Sequence, residues 1–118
     1  MDKEGKSVFV RWCSLRTSIG KTEPILTSSR KKYICHLLSA RKTEDVILIL
    51  DYFSKSKDDY VLFMKTEKDG RYTGLEYIFR PSKFYDKLEK AKDWRKKNKK
   101  YEAKDLYLPY RIVYGDKS

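Results

Sequence analysis

Histidine is nearly absent: His36 is the only one in the chain. Cysteine is scarce too, with Cys13 and Cys35 alone. A structural zinc site takes four ligands from these side chains. A His-x-His metal centre is therefore excluded, as is the two-histidine metal motif of replication nucleases. Cys35-His36 sets two ligand types side by side, but it reads as a helix residue beside a core thiol. A Ser/His or Cys/His hydrolase would have to use His36, and no nucleophile motif stands near it. Two cysteines make no disulfide framework, and the charged stretch 1–6 is no signal peptide. The expectation is an intracellular protein with reduced, buried thiols, or a single Cys13–Cys35 bridge if the source is hyperthermophilic.

Glycine is sparse, and the one glycine motif is incomplete. Gly20-Lys21-Thr22 matches the tail of a phosphate-binding loop, but Leu15 stands where the first glycine belongs. Glu23-Pro24 follows where that motif needs a helix, so an ordinary surface loop is the reading. No apolar run approaches the roughly 18 residues that a membrane span needs. The chain has no internal repeat, and no linker in it is long enough to divide it into separate domains. The 118 residues make one domain with a modest core, and 1–6 are expected to form a flexible tail.

Acid is short relative to base: 17 Asp plus Glu face 28 Lys plus Arg, a net charge of +11. Lys and Tyr have A/T-rich codons, so a low-GC genome is an alternative source of part of that excess, and a viral, archaeal or mobile-element source suits it. A basic excess of this size implies nucleic acid, an anionic membrane surface or an acidic protein as partner. At 40% hydrophobic and 14% aromatic, the chain is too apolar for disorder.

Hydrophobic patterning predicts an α+β domain. Residues 7–14 alternate, with Val8, Val10 and Trp12 on one face and Phe9, Arg11 and Cys13 on the other, as in a central strand. Ser28 or Ser29 caps a helix to about Ala40 with Tyr33, Ile34, Leu37 and Leu38 as its stripe. Residues 45–53 are ambiguous: β-branching favours a strand, while the short link 42–44 suits a helix-turn-helix. Residues 60–66 and 71–79 pair as a hairpin across the Asp69-Gly70 turn, and Gly74 marks a bulge. Pro81 opens a long helix with Phe84, Leu88, Ala91 and Trp94 buried and its lysines, Lys87 among them, on polar faces. Residues 106–114 make a last strand, at an edge because of Pro109. The order is β-α-β-β-β-α-β: an antiparallel sheet of four or five strands under two helices. A winged helix is the alternative if 45–53 is helical.

Function is carried by charge rather than by a motif. Arg95, Lys96, Lys97, Lys99 and Lys100 crowd into six positions, and Arg30, Lys31 and Lys32 form a second group. Lys65, Lys68 and Arg71 make a third, weaker one at the turn. Such side chains hold backbone phosphates without reading sequence. Tyr72, Tyr77, Tyr85, Trp94 and Tyr101, where exposed, stack on unpaired bases. The expectation is a DNA- or RNA-binding protein of low sequence specificity, needing no cofactor or metal and more a binder than an enzyme. One alternative is a metal-dependent nuclease using Asp45, Asp51 and Glu76. Another is an interaction protein docking on an acidic partner.

Overall fold

Three short polar side chains set where helices begin. Asp2 Oδ1 accepts from the Gly5 N–H at 2.9 Å and Thr27 Oγ1 from the Arg30 N–H at 3.2 Å. Asp58 Oδ1 accepts from the Val61 N–H at 3.0 Å. Each satisfies a donor that the first helical turn leaves open, worth about 1 kcal/mol.

The computed structural model describes residues 1–98, and they are all-helical. Helices α1 (Lys3–Ser18), α2 (Ser28–Ala40), α3 (Thr43–Lys55) and α4 (Asp59–Thr66) come first. A 3₁₀ segment at Glu67–Thr73, the single turn α5 (Leu75–Ile78) and a 3₁₀ turn at Pro81–Lys83 lead into α6 (Phe84–Lys97). No strand occurs among the described residues, so the expected antiparallel sheet is overturned, and with it the hairpin wing of a winged helix. No helix among them is long and apolar enough to cross a membrane.

Helix α3 is the axis of the fold. Every residue from 46 to 53 is buried, and α1 and α6 both pack against it. A helix apolar on all sides needs walls on all sides. The β preference of Val46, Ile47 and Ile49 spans only about 1 kcal/mol and loses to that burial. Glu44 and Asp45 in the first turn and Lys55 in the last suit its dipole.

Helix α1 replaces the expected first strand and the expected tail. Its buried stripe is Val8, Arg11, Trp12 and Leu15, a 3.6-residue period, while Val10 is 48% exposed. Arg11 sits on that stripe because its Nη1 meets both carboxylate oxygens of Asp51, at 2.6 and 2.7 Å, inside the α1–α3 interface. Helix α1 stops at Gly20, whose φ of 87° is left-handed.

The Asp69-Gly70 signal marks a turn, but no hairpin. Lys68, Asp69 and Gly70 are all left-handed, with φ of 49°, 59° and 79°. Lys21 Nζ holds Asp69 at 2.8 Å across the turn. The left-handed φ of Gly70 favours glycine, and a Cβ there would sit 2.8 Å from Ile19 Cδ1, so that side chain would have to shift. Gly74 is the N-cap of α5 and makes no bulge.

The two expected helices are present. Ile34 and Leu37 of α2 are buried, with Tyr33 and Leu38 packed at the edge. In α6, Phe84, Leu88 and Ala91 are buried and Trp94 packs beside them, with Pro81 opening the turn before it. Lys87 departs from the expected polar face: it is 2% exposed, and its Nζ donates to the carbonyls of Tyr77 and Ile78 at 2.9 Å each. It thereby caps α5. The strand expected at 106–114 lies outside the described residues.

Candidate nucleic-acid interface

Thr27 starts α2 with three cations, Arg30, Lys31 and Lys32, and no acid in the first turn. Cations at a helix N-terminus oppose the dipole. Arg30 escapes by folding back: its Nη1 donates to the Ile25 carbonyl at 2.6 Å, and its guanidinium lies over the Trp12 ring at 4.9 Å. Arg16 lies 6.0 Å from the same ring, and its Nη1 donates to the Gly70 carbonyl at 3.1 Å and Thr73 Oγ1 at 2.7 Å. The Trp12 indole N–H donates to the Thr73 carbonyl at 2.8 Å. Arg71 joins Arg16 and Arg30 around a cleft of about 480 Å³, with Glu76, Tyr33 and Tyr77 on its walls. Burial, then the Glu76 charge, pushes the Tyr33 hydroxyl above its ordinary pKa, so it stays a donor.

A second basic region ends α6. Arg95, Lys96 and Lys97 occupy its last turn, where cations suit the dipole. Lys97 also lines a cleft of about 650 Å³ with Lys55, Lys57, Lys90, Tyr60 and Trp94. Lys99 and Lys100 lie outside the described residues, as does Tyr101.

The remaining site expectations fall in different places. Lys31, Lys32 and Lys68 are exposed but line neither cleft. Lys65 turns inward toward the Ser54 carbonyl at 3.5 Å, and burial lowers its pKa. Tyr85 is 62% exposed but faces Arg41, whose Nη1 donates to its hydroxyl at 3.0 Å. Tyr72 and Tyr77 are half-buried in contact with one another, at 4.6 Å between centroids. Sequence reasoning missed Tyr60 and Phe63, since both belong to a stretch read as a strand of the hairpin. Their signal is Asp58, a helix cap just ahead of them.

The three nuclease candidates are not brought together. Asp51 is 3% exposed and neutralised by Arg11, Asp45 lies near Arg41 and Lys42, and Glu76 lines the arginine cleft. Among the described residues no three His, Cys, Asp or Glu side chains are grouped to hold a metal ion. Lys21, of the incomplete phosphate loop, is the partner of Asp69. The cysteines are free: Cys13 is buried and Cys35, contrary to expectation, is exposed. Burial and then Glu23 raise the Cys13 thiol to about 11, which leaves it protonated and a poor nucleophile at neutral pH. No known protein family, curated protein or solved structure matches the chain.

Proposed function

We propose that this protein binds nucleic acid through backbone phosphates, with little sequence specificity. The observation that carries the reading is that Arg30 and Arg71, from separate basic groups of the sequence, line one cleft. Guanidiniums offer several N–H donors in a fixed fork that fits phosphate oxygens. The lysines ending α6 add point charges that release counterions on contact. Phosphate contacts fix position and carry no base information, so discrimination between sequences is expected to be weak.

Reversing Arg95, Lys96 and Lys97 to Glu, and separately Arg30 and Arg71, tests the reading by fluorescence anisotropy on labelled DNA and RNA. Both variants are expected to weaken binding similarly across sequences. Unchanged affinity in both would remove the assignment.

A further inference from the structure

Three clefts of this molecule share walls. Tyr60 and Lys90 line both the cleft at the end of α6 and a middle cleft of about 320 Å³. Tyr77 lines both that middle cleft and the arginine cleft. The middle cleft thus lies between the two basic regions and shares wall residues with each.

The middle cleft is aromatic. Phe63 is 50% exposed, and its ring stacks on Tyr72 with centroids 5.9 Å apart and planes at 24°. Tyr72 in turn meets Tyr77. Cations rim these rings: the Arg80 guanidinium lies 4.9 Å from Tyr77, and Lys90 Nζ lies 5.0 Å from Tyr60. Arg80, Lys83, Lys87 and Lys90 line the middle cleft against one acid, Asp86. Lys87 is committed to the α5 carbonyls, which leaves the other three cations at the rim.

Core packing does not require a phenylalanine left half in solvent. A half-exposed Phe63, stacked on the half-buried Tyr72 and edged with positive charge, matches what an unpaired base takes. Every base has a π face, and a duplex keeps those faces hidden. We propose that these clefts form a track that binds single-stranded nucleic acid, with bases on Phe63, Tyr72 and Tyr77 and phosphates along Lys90, Lys83, Arg80 and Arg71. The proposal rests on the nucleic-acid reading above and adds the strand class.

The test is anisotropy with labelled oligo(dT), oligo(U) and a duplex of equal length. The full chain, Phe63→Ala, Phe63→Tyr and the Arg95/Lys96/Lys97→Glu variant are compared, with thermal melts as folding controls. Loss of one stacked base corresponds to about a tenfold weakening. Phe63→Ala is expected to lose about that much on the single strands and little on the duplex, and Phe63→Tyr to restore it. If Phe63→Ala changes neither while the charge-reversed variant loses binding, the track is wrong and the nucleic-acid reading stands. If the unaltered protein binds no strand of any kind, both are wrong. If Phe63→Ala instead breaks a dimer in sedimentation and leaves strand affinity unchanged, the face joins copies of the chain and the track is overturned.

Discussion

Helices α1 and α6 flank the same helix, α3, and use positive charge in opposite directions. Helix α1 turns arginines inward: Arg11 is spent on Asp51, and Arg16 on Gly70 and Thr73. Helix α6 keeps Lys90, Lys92, Lys96 and Lys97 exposed. The difference follows from chemistry. A guanidinium is planar, weakly hydrated and matched to fixed acceptors, whereas an ammonium is strongly hydrated on a flexible stem. A count of cations in the sequence therefore overstates the charge available to a partner, and the arginines of α1 account for some of the overstatement.

The largest effect should come from breaking the inward side. Asp51→Ala removes the carboxylate that faces the buried Arg11 guanidinium, and is expected to cost about 3–5 kcal/mol of stability. Urea unfolding checks it, and a loss below about 1 kcal/mol would mean Arg11 finds water instead.

Gly70→Ala comes next. It puts a side chain at a left-handed position 2.8 Å from Ile19 Cδ1, on the residue whose carbonyl accepts from Arg16. About 2 kcal/mol of destabilisation is expected. An unchanged melting temperature would show that the turn relaxes freely.

Lys87 is the α6 lysine that behaves like the arginines of α1. Burial first, then the nearby Arg80 and Lys83, lowers its pKa from 10.5 to about 8. Between those values the unfolded chain holds a proton that the folded one has released, so stability rises with pH. Cys13 acts in the opposite sense from 9.0 to about 11, where the folded state keeps a proton the unfolded state loses. The Lys87 rise is therefore expected between about pH 8 and 9, and should vanish in Lys87→Met. Denaturant midpoints across that window decide it.

The outward side should barely affect folding. Lys96→Ala with Lys97→Ala is expected to change stability by less than about 0.5 kcal/mol. Its effect belongs in binding, where each lost phosphate contact flattens the log–log salt slope by about 0.7 on single strands.

The same contrast between inward and outward charge explains what can be read from the sequence. Helices α2 and α6 are legible because their apolar residues keep a clean helical spacing. Helix α1 hides its spacing, because one position on its stripe is Arg11 and the partner that makes it a core residue lies on α3. Helix α3 hides its type, because eight buried residues in a row carry no period. The hairpin reading of 60–79 rests on a true turn at Asp69-Gly70, but Asp58 outweighs it by capping α4. For the candidate site, the basic groups are visible as groups. That Arg30 and Arg71 line one cleft, and that Phe63 stands exposed beside the middle cleft, depends on helix packing that no local pattern encodes.

A phosphate-binding surface is tested most directly by the salt dependence of binding. Anisotropy of the full chain with labelled oligo(dT) from low to physiological salt should give a linear log–log plot with a slope of about −2 or steeper, as several phosphate contacts require. A flat plot, or no binding at the lowest salt, would contradict such a surface.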